Sequence, residues 1–321
     1  MCTRVLWADN EQAVLVGRNM DWGIDMATRL WVMPRGAART GLPGDANTLR
    51  WTASYGSVIA SSYDIATSDG INEAGLAAHL LWLTESDFGP RKPELPALAV
   101  SIWAQYLLDT CANVAEAVEL MRSSPFQPRP VFDERTKRYS TVHLALDDAS
   151  GDSAIVEYLD GHPVIRHGAQ YRVMTNSPPF DEQLSHLERY VGFGGELPLP
   201  GTTEAADRFV RASYYLDRLP RPETTTSAYA ALLSVMRNTG QPFSTPDPDR
   251  PNIAKTIWRT LTDLTNSVYA FESSTSPDII WIELRDLDFS QTMRLDPASL
   301  PLGKAVNDRF EPTEPFEFIA A

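Results

Sequence analysis

The order of strand-like and helix-like segments is the feature that most limits the fold of this chain. Strand patterns mark residues 2–22, 56–61, 76–83, four short segments within 140–175, and 255–264, 267–271 and 279–284, while helical periodicity marks 97–109, 114–121, 181–190, 204–216 and 226–237. These blocks interleave without a regular strand–helix–strand alternation, which argues against a doubly wound parallel fold. The pattern predicts an α+β fold with two antiparallel sheets and helices outside them.

The chain shows no boundary that would divide it into domains. It has 321 residues, of which 43% are hydrophobic, with 8 Trp, 11 Tyr and 12 Phe, which is ample material for a large core. Gly/Ser linkers, charge blocks and low-complexity tracts are missing from the sequence. We therefore predict a single domain over residues 1–321.

The charge and the apolar segments exclude several classes of partner. The formal net charge of -14 is spread along the chain, so it repels polyanions, and we expect no nucleic-acid partner. The longest apolar stretch, 97–108, is interrupted by Ser101 and Gln105 and is too short to cross a bilayer, so we expect no membrane partner. As the sequence stands, no basic segment followed by an apolar one begins it, which favours a cytoplasmic protein, or a periplasmic one if a signal has been removed.

Several common catalytic motifs are missing from the sequence. It contains no phosphate-binding Gly-x-x-x-x-Gly-Lys loop, no Gly-x-Gly-x-x-Gly, no Gly-x-Ser-x-Gly and no His-Glu-x-x-His. The five histidines are scattered, so we predict no metal site and no cofactor. The absence of these motifs argues against a nucleotide-binding enzyme, a serine hydrolase with a nucleophile elbow and a zinc peptidase.

Two cysteines remain as candidate nucleophiles, Cys2 and Cys111. Cys111 follows an apolar helical pattern, which is typical of a small buried hydrophobe. Removal of Met1 is efficient when the second residue is small, and it would leave Cys2 with both a thiol and a free α-amine. Since a free amine titrates at about 8 and a free thiol at about 8.5, one residue can supply the base and the nucleophile. The alternative is that Cys2 is an accidental second residue.

The first two strands predict neighbours for Cys2. Residues 9–11 read as a tight turn, with Asn10 at positive φ, so the two strands pair as a hairpin. The far end of the second strand then lies beside the start of the first, which brings Arg18 and Asp21 next to Cys2. A cation favours a thiolate, and a carboxylate can orient an α-ammonium group. The alternative is a solvated Arg and Asp at a strand end.

Five motifs in register resemble the choloylglycine hydrolase family, whose members include penicillin V acylases and bile salt hydrolases. They are Met-Cys-Thr at 1–3, Gly-Arg-Asn-Met-Asp-Trp at 17–22, Asp-Gly-Ile-Asn-Glu-Ala-Gly-Leu at 69–76, Met-Thr-Asn-Ser-Pro at 174–178 and Asp-Arg-Phe-Val-Arg at 207–211. The resemblance implies the N-terminal nucleophile hydrolase fold, a four-layer αββα sandwich of two antiparallel sheets. It also implies maturation by removal of Met1, and a homotetramer.

The resemblance assigns catalytic roles to five residues. Cys2 would be the nucleophile, with Arg18 and Asp21 tuning its thiol and amine, Asn176 donating its amide to the oxyanion, and Arg208 completing the charged network. On the residues alone, Asn176 before Ser-Pro-Pro is a turn residue that ends a strand, and Arg208 with Arg211 is a solvated helix face. Both alternatives stay open at this point.

Position 82 separates this chain from part of the family. Bile salt hydrolases that resemble it tend to have Asn there, one group of penicillin acylases has Tyr, and this chain has Trp82. The resemblance implies that the oxyanion contact from position 82 is a backbone amide, so the side chain would affect the pocket instead. Trp82, Trp22 and Phe88 would form an aromatic wall for a phenoxyacetyl group or a fatty acyl chain, unless the tryptophans only fill the core.

The sequence therefore predicts a hydrolase of linear amides that takes small N-acylated substrates. It resembles the branch associated with penicillin V and with N-acyl homoserine lactones, the latter a quorum-quenching activity. The alternatives are a conjugated bile salt hydrolase and a non-catalytic relative that binds acylated ligands.

Overall fold

The computed structural model describes residues 1–123, 125–134, 137–244, 254–276, 278–300 and 305–320. Its strands are β1 (Cys2–Trp7), β2 (Leu15–Trp22), β3 (Leu30–Met33), β4 (Ala38–Thr40), β5 (Arg50–Thr52), β6 (Ser57–Ser62), β7 (Ala66–Asn72), β8 (Ala77–Trp82), β9 (Ala97–Ala99), β10 (Gln127–Arg129), β11 (Phe132–Asp133), β12 (Arg138–Tyr139), β13 (Val142–Asp147), β14 (Ser153–Leu159), β15 (His162–His167), β16 (Val173–Met174), β17 (Lys255–Asp263), β18 (Val268–Ser273), β19 (Ile279–Glu283), β20 (Met293–Leu295) and β21 (Glu311–Pro312). Its α-helices are α1 (Trp103–Thr110), α2 (Val114–Ser123), α3 (Phe180–Leu187), α4 (Ala205–Leu216) and α5 (Thr225–Thr239), with 3₁₀ turns at Val100–Ile102, Leu284–Asp286, Pro297–Ser299 and Asn307–Arg309.

Two large antiparallel sheets form the body of the molecule. One has six strands in the order β16-β1-β2-β17-β18-β19, and the other has nine in the order β15-β14-β13-β8-β7-β6-β3-β20-β21. Every side chain of β1 is buried, since one face of the strand meets the other sheet and the opposite face meets helices. The predicted α+β fold with two antiparallel sheets is confirmed.

Helices cover the outer faces of both sheets. Helices α4 and α5 pack on β1 and β2 of the six-stranded sheet, and α1 packs on β7 and β8 of the nine-stranded sheet. Alternate side chains of the nine-stranded sheet point to two different cores. On β6, Val58 and Ala60 face the first core, which lies between the sheets and under α4 and α5, whereas Ile59 faces the second core under α1 and α2.

The N-terminal hairpin forms as predicted, but its turn differs. Strand β1 pairs with β2 in a register that places Cys2 opposite Met20. The residue at positive φ is Glu11, with φ of 62°, and not Asn10. The buried Asn10 side chain accepts hydrogen bonds from the Gln12 and Ala13 amides, so it closes an Asx turn, and the left-handed conformation falls on the next residue.

Two further expectations need correction. The helix predicted for 97–109 begins only at Trp103, because Ala97–Ala99 pairs in parallel with Gln127–Arg129 and a 3₁₀ turn follows. Two inner strands of the nine-stranded sheet, Leu30–Met33 and Ala66–Asn72, were not predicted. Strand β7 has the sequence Ala-Thr-Ser-Asp-Gly-Ile-Asn, which lacks the apolar alternation typical of strands although most of it is buried.

Candidate active site

Cys2 lies at the start of β1, facing the space between the two sheets. It is 3% exposed, and its Sγ is 3.5 Å from Nη2 of Arg18 and 3.7 Å from Sδ of Met20. Met1 extends the strand pairing by one residue, because its carbonyl accepts from the Asp21 amide at 2.8 Å and its amine donates to the Asp21 carbonyl at 2.6 Å. Burial lowers the pKa of this amine below its usual value.

Arg18 is the cation nearest to the thiol. Its side chain is fully buried, Nη2 also donates to the Leu80 carbonyl at 3.0 Å, and the guanidinium lies 4.5 Å from the centroid of the Trp258 ring. Its Nε and Nη1 have no hydrogen-bond partner among the residues that the structure describes. Buried donors without partners are rare in proteins, and a catalytic role is one explanation for them.

Asp21 and Arg208 are both buried and lie on the other side of Cys2. The Asp21 carboxylate accepts from Thr256 Oγ1 at 2.6 Å and from Gln241 Nε2 at 3.1 Å, and it lies 3.6 Å from Nη1 of Arg208. Arg208 also donates to the Cys2 carbonyl at 2.5 Å. Burial lowers the pKa of Arg208, although the nearby Asp21 opposes this effect.

Asn176 connects these groups to strand β8. Its Oδ1 accepts from the Cys2 amide at 2.5 Å and from Nη2 of Arg208 at 2.9 Å, while its Nδ2 donates to the Trp82 carbonyl at 2.6 Å. The amide expected to face an oxyanion is thus bonded to Trp82 here. Arg211 lies apart, since it is bonded to the Pro200 and Thr202 carbonyls.

The pairing of β8 determines where the Trp82 amide points. The Leu83 amide donates to the Thr141 carbonyl at 3.0 Å, so Trp82 and Val142 form a non-hydrogen-bonded pair. In such a pair, both backbone groups point away from the partner strand. The Trp82 N–H therefore points to the side on which its carbonyl meets Asn176, which is where the sequence predicted a backbone amide contact.

A largely apolar cavity opens from Cys2. It encloses about 850 Å³ of empty space, counting its open mouth. Trp22 and Trp82 both line it, with ring centroids 5.7 Å apart, and Trp22 donates from Nε1 to the Tyr63 hydroxyl. The structure does not bring Phe88 to this cavity. Phe88 is buried in the second core, packed against Trp103 and Tyr158, because the chain turns across the outer face of the sheet after β8.

A buried charge network behind Arg18 was missed by the sequence analysis. Asp69 accepts from the Tyr269 hydroxyl at 2.7 Å, lies 2.6 Å from Nδ1 of His79 and is 4.0 Å from Nε of Arg18. On its other side, His79 lies 3.4 Å from Asp147, which is paired with Arg4. All of these side chains are fully buried.

The network holds its members in defined charge states. Burial lowers the pKa of His79, and although Asp69 opposes this, Arg4 and Arg18 already balance the two carboxylates, so we assign a neutral imidazole. Burial alone would raise the pKa of Asp69, but the hydrogen bonds from His79 and Tyr269 and the charge of Arg18 hold that pKa below its usual value. The sequence signal that could have indicated this network was the position of Asp69 at the start of the Asp-Gly-Ile-Asn-Glu-Ala-Gly-Leu motif at 69–76.

The remaining candidate groups lie elsewhere. Cys111 is buried in the second core, and burial raises the pKa of its thiol to about 11, so it fits the predicted small hydrophobe. Over the described ranges, no three or more His, Cys, Asp and Glu side chains are grouped in a way that could hold a metal ion. Within the same ranges, no helix has the length and apolarity needed to cross a membrane.

Comparisons with known proteins agree with this fold. The chain is 42% identical to penicillin V acylase of Pectobacterium atrosepticum, over 99% of this chain and 92% of that protein. It is 23% identical to the conjugated bile acid hydrolase of Lactobacillus gasseri, over 74% of this chain and 81% of the relative.

Among solved structures, the chain is similar to penicillin V acylase from Agrobacterium tumefaciens, with a TM-score of 0.89, 45% identity and complete coverage of both chains. It shares the fold of a conjugated bile acid hydrolase from Clostridium perfringens, with a TM-score of 0.77, 19% identity, and coverage of 90% of this chain and 94% of the other. Residues 2–297 match the model of the linear amide C-N hydrolases, choloylglycine hydrolase family. The chain therefore belongs to the choloylglycine hydrolase family of linear amide C–N hydrolases.

Proposed function

We propose that this enzyme deacylates penicillin V-type amides and N-acyl homoserine lactones through Cys2 as an N-terminal nucleophile. The observation that carries the proposal is the position of the Cys2 thiol, which lies 3.5 Å from the Arg18 guanidinium and lines an apolar cavity with Trp22 and Trp82. A cation beside the sulfur favours the thiolate, which is the nucleophilic form. The two indole rings suit a phenoxy ring or an aliphatic acyl chain.

Removal of Met1 would complete the catalytic group. It breaks the two backbone hydrogen bonds between Met1 and Asp21 and converts the Cys2 amide into a free amine. That nitrogen lies 2.5 Å from Oδ1 of Asn176, and Arg208 links Cys2 to the Asp21 carboxylate. Cys2 is buried, and burial favours the uncharged form of an amine, which is the form that can act as a base.

The reaction would proceed in two steps. The uncharged amine of Cys2 takes the proton of the thiol, and the Cys2 sulfur attacks the amide carbonyl carbon. The resulting oxyanion accepts hydrogen bonds from the Trp82 N–H and from Nδ2 of Asn176, which gives up its bond to the Trp82 carbonyl. The α-ammonium group of Cys2 gives its proton to the leaving nitrogen, so the C–N bond breaks and a thioester remains. The free amine then takes a proton from water, whose oxygen attacks the thioester, and the C–S bond breaks to release the carboxylic acid. The ammonium group returns its proton to the Cys2 sulfur, which restores the starting enzyme.

The test compares the two cysteines with a panel of amides. Cys2→Ala is expected to abolish amine release from penicillin V, penicillin G and acyl homoserine lactones of several chain lengths. Cys111→Ala is the matched control and should keep the wild-type rate, because Cys111 is buried in the second core. Substantial turnover by Cys2→Ala would refute the nucleophile, and glycocholate as the preferred substrate would refute the acyl specificity.

A further inference from the structure

The cavity at Cys2 passes through the nine-stranded sheet where two neighbouring strands separate. Strands β7 and β8 are paired only from Asp69–His79 to Ile71–Ala77. Continuing that register would place Ser68 opposite Leu80, but within this fully described stretch the ladder has already ended. The pairing of β6 with β7 shifts at the same level, since Ala60 pairs with Asp69 and Ser61 with Thr67, which leaves Ser68 as an extra residue on β7. The sheet is therefore open at this end, next to the thiol.

The cavity lining comes from both sides of the sheet. Cys2, Met20 and Leu81 belong to the first core, between the sheets, whereas Val100 and Val142 belong to the second core on the outer face. Since one continuous cavity touches both groups, it leads from the nucleophile through the gap between β7 and β8. A cavity confined to the space between the sheets would have no lining residues from the second core.

The segment 313–320 closes the outer side of this passage. Ile319 lines the cavity and is held by its backbone, because its N–H donates to the Ile65 carbonyl at 3.1 Å and its carbonyl accepts from Ser101 Oγ at 2.6 Å. Phe316 packs on the Trp31 ring at 4.9 Å, and Phe318 lies under the Arg39 guanidinium. The segment thus has its own anchors, and Ile319 is its one residue in the cavity lining.

We propose that Ile319 is a specificity-determining residue that sets the longest acyl chain the pocket accepts. This inference rests on the proposed function, since it concerns the acyl side of the same site. A linear acyl chain whose carbonyl lies at Cys2 extends between Thr67 and Leu81 and ends against the Ile319 side chain. The Ser101 hydroxyl is already bonded to the Ile319 carbonyl, so the end of the passage suits a terminal methyl group better than a polar one.

The experiment varies the side chain at 319 and the length of the acyl group. For hexanoyl, octanoyl, decanoyl and dodecanoyl homoserine lactones, we expect Ile319→Ala to raise the ratio of dodecanoyl to hexanoyl kcat/KM about tenfold, which is the effect of one methylene in a tight pocket. Ile319→Phe should lower the same ratio by a similar factor. Glu317→Ala is the matched control, because the exposed Glu317 lies on the same segment outside the cavity and should leave the ratio at the wild-type value.

A binding measurement separates this inference from the proposed function. Fatty acids of the same lengths are titrated against Cys2→Ala and against the double variant Cys2→Ala/Ile319→Ala. The signal is the change in intrinsic tryptophan fluorescence, to which Trp22 and Trp82 contribute because they line the cavity. A shift of the preferred length by two or more carbons in the double variant is the expected result. An unchanged length preference in both kinetics and binding would overturn the role of Ile319, whereas wild-type enzyme inactive on every amide would overturn the proposed function alone.

Discussion

Asn176 is the residue whose contacts differ most from its expected role. The resemblance assigned it to the oxyanion, and the structure places its amide on the Trp82 carbonyl and its oxygen on the Cys2 nitrogen. Both contacts become useful if the side chain orients the amine before attack and then turns its Nδ2 to the oxyanion. Asn176 then lies between Cys2 and the second oxyanion donor, the Trp82 N–H, both before and after the attack.

We predict that Asn176→Ala lowers kcat by about 10²–10³ with a much smaller change in KM, because one donor is lost that acts on the transition state. Steady-state kinetics with penicillin V measure both constants. Asn238→Ala, on the exposed face of α5, is the control and should match the wild type. An effect confined to KM would assign Asn176 to ground-state binding instead.

His79 should make its contribution visible as a dependence of stability on pH. Burial lowers its pKa in the folded protein, whereas in the unfolded chain it titrates at about 6.5. As the pH falls below that value, the unfolded state takes up a proton that the folded state does not, so the free energy of unfolding decreases. The decrease is at most about 1.4 kcal/mol per pH unit for one such group.

His79→Gln removes this component, so the stability advantage of the wild type over the variant should shrink between pH 7 and pH 5. Urea unfolding at half-unit steps measures it. His162→Gln is the control, since His162 is exposed on β15. The difference in unfolding free energy between this variant and the wild type should not change with pH. A wild-type advantage that grows as the pH falls would show instead that His79 is protonated in the fold.

At the scale of elements, the hairpin of β1 and β2 depends on a close approach of helix α5. A Cβ atom on Gly17 would lie 2.5 Å from Cγ of Met236, within the first core. The glycine is required here for space and not for a positive φ. It lets the helix lie directly on the strand that carries Arg18 and Asp21.

Gly17→Ala is therefore expected to cost about 1–3 kcal/mol of unfolding free energy through overpacking. Gly23→Ala is the matched control, because a Cβ at Gly23 meets no atom within 4 Å, and it should change the stability by less than about 0.5 kcal/mol. Chemical denaturation of both variants gives the comparison. Equal stability of the two would contradict the packing of α5 on β2 described above.

At the scale of the whole molecule, local patterns predicted what local residues determine. The hairpin and strands β13–β15 follow from alternation and turn residues, and the register of the hairpin alone brought Arg18 beside Cys2. Strand β7 escaped prediction because its polar residues are buried by distant partners. Asp69, for example, is bonded to Tyr269, which lies 200 positions further along the chain.

The predicted aromatic wall shows the same difference between residues on strands, which local patterns placed correctly, and a residue in a loop, which they did not. Trp22 and Trp82 end two strands whose directions follow from pairing, and both line the cavity. Phe88 lies in a loop, where no period fixes the direction of a side chain, and it points into the second core. Ile319 gave no signal in the sequence, because its contacts with Ile65 and Ser101 form only in the folded molecule.

We propose that Cys2, once it carries a free amine, is the residue that becomes acylated. Intact-protein mass spectrometry of the purified enzyme, before and within milliseconds of mixing with penicillin V, tests it most directly. We expect a chain that lacks Met1 and gains one phenoxyacetyl group on Cys2, while any fraction that retains Met1 stays unmodified. Acylation of the Met1-bearing fraction at the same rate, or of a residue other than Cys2, would contradict it.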